Sequence, residues 1–122
     1  MSSPPPAGGM SAGDAPAGDG GVGRRDELER RYSAVTGLFG ALASPVRAAM
    51  VHLLTVRSHT VTEFVEELGI PQPLASQHLR TLRAAGLVTA DREGRLVRYR
   101  LTDEHVAHVF LDAYQHSREG AS

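Results

Sequence analysis

Leu68-Gly-Ile-Pro-Gln-Pro-Leu-Ala-Ser-Gln-His-Leu-Arg-Thr-Leu-Arg-Ala-Ala-Gly-Leu-Val88 is the stretch on which the fold turns. Gly69 ends one helix, and Gln72-Pro73 opens another that runs to about Ala85 and stops at Gly86. Glycine supplies the left-handed cap, and proline a preset φ where no amide donor is needed. Ala75, Leu79 and Leu82 recur at i, i+4 and i+7 and form an inner stripe. Gln72, Ser76, Gln77, Arg80 and Arg83 fall on the outer side, and His78 flanks the inner stripe, suited equally to edge packing and to a DNA contact.

Upstream, Thr60-Val-Thr-Glu63 is a capping box that opens a helix with Val61, Phe64, Val65 and Leu68 inward. Two short helices joined by the tight Gly69-Ile-Pro71 connection form a helix-turn-helix pattern. Downstream, Val88–Arg92 and Leu96–Leu101 flank Glu93-Gly94, a hairpin signal, and Arg98 and Arg100 lie on one face of the second strand. Gln, Ser and Arg on an exposed helix can read base edges. A basic hairpin beside it offers Arg92, Arg95, Arg98 and Arg100 to phosphates. A solvated helix and hairpin would share each feature singly; their order points to double-stranded DNA.

Further out, Leu28, Tyr32, Val35, Leu38 or Phe39, and Leu42 repeat at helical spacing and predict a helix over about Asp26–Ala43. Ser44-Pro45 restarts the chain as cap and first helical residue of a helix reaching about Val56. His52 reads as a partly buried helix residue and His59 as exposed. A last helix starts near Thr102-Asp103 and carries Val106, Val109, Phe110 and Ala113. The expected class is mainly α with a small β-hairpin.

In the 122-residue chain, residues 1–23 hold seven Gly and four Pro and are expected to be a disordered Gly/Pro/Ala-rich tail, leaving 24–122 as one domain. No apolar run approaches the ~20 residues of a bilayer span, and the tail lacks the basic and apolar regions of a secretory signal, so a cytoplasmic protein without membrane contact is expected. There is no Cys, which excludes disulfides and thiolate ligands. The formal charge of −1 conceals a net +4 over residues 72–100 and −3 over residues 101–122.

The last helix carries Asp103-x-His105 and His116-x-x-Glu119. Eleven residues bring His116 to within about 20° of the face of His105, but ~16 Å along the axis. One ion, ~2 Å from each ligating nitrogen, cannot span that gap. Two antiparallel copies about a two-fold axis can bring His105 of one beside His116 of the other, giving two identical sites. Asp103 reaches inward as the N-cap, and two oxygens with two nitrogens suit tetrahedral Zn(II). His108, one turn after His105, reads as a surface or supporting residue. A catalytic zinc site is not favoured: four protein ligands leave no position for water and no separate general base accompanies them, so no catalytic residues are assigned and the chain reads as no enzyme.

Ala41-Leu-Ala-Ser-Pro-Val-Arg47 and the Ser76-Gln-His-Leu79…Leu82…Gly86-Leu-Val88 run resemble the ArsR/SmtB family of winged-helix metal-sensing repressors, over about residues 28–119. The resemblance implies a homodimer built by its first and last helices, an imperfectly palindromic operator, and a metal that loosens the DNA complex. By it, Gln72, Ser76 and Gln77 match DNA-contacting positions, and Asp103, His105, His116 and Glu119 match the family's C-terminal helix site. Glu119 departs from the His frequent there in zinc sensors. Zn(II) is favoured over Ni(II) or Co(II), which draw extra ligands from His-bearing termini absent here. The alternatives are a nickel or cobalt repressor of the same family, or a winged-helix regulator with a vestigial metal site that acts through protein contacts.

Overall fold

The structure, a computed structural model, describes residues 19–121. In chain order it contains α1 (Asp19–Ala41), α2 (Pro45–Leu54), α3 (Val61–Leu68), α4 (Gln72–Ala84), β1 (Val88–Glu93), β2 (Leu96–Leu101) and α5 (Glu104–Ala121). Helix α1 begins before the expected Asp26, running through Gly20, Gly21 and Gly23, whose low helix propensity argued against it. The rest of the expected tail, residues 1–18, lies outside the described residues.

The chain divides after Thr36 into two units. In the first, described from Asp19, Leu28, Tyr32 and Val35 of α1 stand 56%, 48% and 42% exposed. The second, from Gly37, holds a core of Ala41, Met50, Val51, Leu54, Phe64, Leu79, Leu82, Leu87 and Val88, with Leu38 and Leu42 packed against it. The inner stripe of α4 is buried as its periodicity required.

Local chemistry sets most boundaries. The Ser44 hydroxyl accepts from the Arg47 amide at 3.2 Å, with Pro45 in the first turn of α2. That helix ends at Leu54, short of Val56; the Thr55 hydroxyl donates to the His52 carbonyl at 2.6 Å, where the helix stops. The Thr60 hydroxyl accepts from the Glu63 amide at 3.2 Å, and the Glu63 carboxylate accepts from the Thr60 amide at 2.9 Å, completing the capping box. Gly69 closes α3 at φ 67°, where a side chain would be strained. The Asp103 carboxylate accepts from the Val106 amide at 3.2 Å and so caps α5.

Strands β1 and β2 pair antiparallel from Val88↔Leu101 to Glu93↔Leu96. A third segment joins them: the His59 amide donates to the Tyr99 carbonyl at 3.0 Å and the Tyr99 amide to the His59 carbonyl at 2.8 Å. This pairing corrects the expectation that His59 is exposed. It is 1% exposed, its ring stacks on Phe64 with centroids 4.9 Å apart, and its ring nitrogens lie 3.0 Å from the Arg57 carbonyl and 3.2 Å from the Glu67 carboxylate. The bridge to Tyr99 is a tertiary event with no local sequence signal. His52 is half-buried as expected, its ring centroid 4.5 Å from that of Tyr114 and 5.3 Å from that of Phe110, at the packing of α5 on α2.

Thr60→Ala should lower unfolding free energy by about 1 kcal/mol in urea titrations, the usual cost of a lost cap. The Thr60 amide, aided by Arg57 and Arg98, holds the Glu63 carboxyl below its usual 4.5. The stabilisation it contributes is therefore present above that value and lost as pH falls through the lowered one. Glu63→Gln should flatten this part of the acid limb of a stability–pH curve.

Candidate nucleic-acid interface and metal site

Helix α4 starts without a side-chain cap, at Pro71. Its buried stripe turns Gln77 and Arg80 to solvent, where they line a shallow groove with Pro73, Thr81 and Ala84. Gln72 is exposed at the first turn; Ser76 is half-buried on one flank. His78 sits half-buried on the other flank, and its Nδ1 lies 3.2 Å from Arg47 Nη1.

The arginines divide by their partners. Arg80, Arg83, Arg92 and Arg95 are exposed, and the described residues give them no ion pair. Arg95 sits in the turn beside Gly94, whose φ of 62° the turn requires. Arg98 and Arg100, expected on a free basic face, are instead paired diagonally across the hairpin: Arg98 Nε to Glu93 at 3.1 Å and Arg100 Nε to Asp91 at 2.6 Å. Arg98 Nη1 also lies 3.7 Å from Glu63 of α3, which Arg57 reaches at 3.3 Å. Arg57 further binds Glu67 at 3.0 Å, and His59 meets the same carboxylate group. This chain of charges ties the hairpin to α3. Sequence reading missed Arg57, Glu63 and Glu67 as its members because only Glu63 carried a local signal, the capping box.

The metal candidates lie on α5. His105, His116 and Glu119 are exposed, outside the face through which Val106 and Phe110 pack on the core. Asp103 stands at the N-cap with one carboxylate oxygen bonded to Val106. Gln115 donates to the Glu119 carboxylate at 3.3 Å. Among the described residues, no cluster of three or more His, Cys, Asp or Glu within one chain could hold a metal. The donors are two imidazoles and two carboxylates, a set that fits Zn(II), but one copy does not assemble them.

A polar-faced helix following a tight turn, with a basic hairpin beside it, defines a winged helix-turn-helix protein. The sequence pattern of bacterial regulatory proteins of the arsR family matches residues 44–90. The chain is 54% identical over 84 residues to the HTH-type transcriptional repressor SmtB of Mycobacterium tuberculosis, covering 69% of this chain and 62% of that protein. It is 35% identical over 90 residues to the biofilm growth-associated repressor of Xylella fastidiosa, covering 74% of this chain and 79% of that protein. Among solved structures, it resembles the homodimeric winged helix-turn-helix DNA-binding domain Mb0332 of Mycobacterium bovis, a possible ArsR-family regulator. That match has a TM-score of 0.72 and 30% identity, and covers 77% of this chain and 87% of that one. The chain belongs to the arsR family, whose matched members are transcriptional repressors and regulators rather than enzymes.

The sorting of arginines separates two variants. Arg95→Ala should weaken specific and random duplex binding alike and reduce the magnitude of the salt slope by about 1. Arg98→Ala should instead lower the thermal midpoint, because it leaves Glu93 without its partner and takes one of two arginines from Glu63. Calorimetry and fluorescence anisotropy across a salt series read the two effects.

Proposed function

We propose that this chain is a zinc-responsive transcriptional repressor that binds palindromic operator DNA as a homodimer in the cytoplasm. The observation that carries the reading is the placement of His105 and His116. They share one exposed stripe of α5, yet lie ~16 Å apart along its axis, beyond the reach of a single ion. Asp103 and His105 of one copy, with His116 and Glu119 of the other, would complete each of two identical sites. Bound there, Zn(II) supplies a rigid cross-link between the two α5 helices.

The other parts follow from named residues. The exposed apolar stripe Leu28, Tyr32 and Val35 of α1 suits burial against a second copy. Gln77 and Arg80 would read base edges from the major groove, with Gln72 and Ser76 at its margin, while Arg95 contacts phosphate. Two reading helices must sit about one helical turn of DNA apart, ~34 Å, so a small rotation about the two-fold axis is felt at both half-sites. By resemblance to the family, the cross-link disfavours the DNA-bound orientation.

The test is a thermodynamic cycle: zinc affinity of free and DNA-bound protein, and DNA affinity of apo and zinc-loaded protein. Two Zn(II) per dimer and a coupling of about 1–3 kcal/mol, equal along both legs, are expected. Equal DNA affinity in the apo and zinc-saturated states overturns regulation by this site. Gln77→Ala should lower specific affinity by about 1–3 kcal/mol.

A further inference from the structure

Arg47 occupies the first turn of α2. A cation there faces the positive end of the helix dipole, so an arginine in that place needs partners elsewhere. It has two. Nε donates to the carbonyl of Ala41, the last residue of α1, at 2.7 Å. Nη1 donates to Nδ1 of His78, on α4, at 3.2 Å. A guanidinium carries donors only, so Nδ1 must accept and the ring proton sits on Nε2.

We propose that Arg47 is a positioning residue for the DNA-reading helix: it fastens the end of α1 to a neutral, Nε2-protonated His78 and so fixes where α4 stands against the α1–α2 corner. The proposal rests on the DNA-binding reading above. Its consequence is that α4 is coupled through one side chain to the end of α1, and a shift at that end reaches the reading helix.

The tie is sensitive to acid. A second ring proton on Nδ1 would point at the guanidinium and break the contact. Burial first, and the Arg47 charge second, hold the His78 imidazole below its usual 6.5. Arg47 is the charged group facing the ring from α2, and neither partner is ion-paired to a carboxylate among the described residues. The tie is therefore complete above about 6.5 and is lost as pH falls through the lowered value.

The experiment uses the full chain in EDTA, with a labelled duplex selected from a random library by the wild-type protein. Imidazole nitrogen NMR of the DNA-free protein should give His78 as the Nε2–H tautomer, and Arg47→Lys should abolish that fixed state. Lysine keeps the charge but lacks the fork that meets both acceptors. Arg47→Lys should weaken duplex binding about tenfold at neutral pH, the size of one charge-assisted hydrogen bond. Wild-type binding should hold down to about pH 6.5 and weaken below it, and His78→Asn, whose amide oxygen accepts without titrating, should shrink that step. His78 found as the Nδ1–H tautomer, or an acid step unchanged in His78→Asn, overturns the proposal even if Arg47→Lys fails to fold. Wild-type affinity in a folded Arg47→Lys overturns the positioning role alone. Failure of the wild-type protein to select any duplex overturns the DNA-binding reading, and the positioning role with it.

Discussion

Leu79 and Leu82 bury one side of α4 in the core shared with Met50, Val51 and Phe64. Burying a leucine side chain contributes about 1.5–3 kcal/mol, and a helix of 3.6 residues per turn then has no freedom over what faces outward. Gln77 and Arg80 are exposed because Ala75, Leu79 and Leu82 are not. The hairpin inherits its place from the same core: Leu87 and Val88 anchor its first strand there, and the His59–Tyr99 bridge ties its second strand to the connection before α3. The outer face of α4 and the wing are thus set by one packing event and one pair of backbone hydrogen bonds.

Charge is sorted over this frame by function. The arginines of β2 are engaged with Asp91, Glu93 and Glu63, and they brace the hairpin. The arginines of α4, and those of β1 and the turn, carry no ion pair among the described residues and leave their charge exposed. Exposed ion pairs contribute little singly, but the run from His59 through Glu67, Arg57 and Glu63 to Arg98 is a network joining α3 to the wing. A chain with a formal net charge of −1 can therefore present a basic surface.

The sequence made legible whatever is periodic or local. The stripe of α4, the Thr60–Glu63 capping box and the Asp103 cap each depend on residues within a few turns of helix, and each stands where its pattern placed it; the hairpin also forms, with Glu93 paired to Leu96 at the end of β1 rather than in the turn. What escaped depends on distant partners. His59 is buried by Tyr99, far along the chain, and Arg98 of β2 is drawn to Glu63 of α3. Arg47 gave one clue, a cation in the first turn of a helix, where the dipole disfavours it. The proposed metal set rests on spacing along α5, and within one copy that spacing keeps its halves apart.

The central claim is that each metal site takes one half from each of two chains. Mixing two variants tests it: one chain carrying Asp103→Ala and His105→Ala, the other His116→Ala and Glu119→Ala. Each variant alone lacks half of both sites. In the mixed dimer one site loses all four ligands and the other keeps them all. Zinc titration monitored by a chelator indicator should show no tight site in either variant alone and one tight site per mixed dimer. Recovery of no tight site on mixing, with mixed dimers present by mass spectrometry, or tight binding retained by either variant alone, would contradict the account.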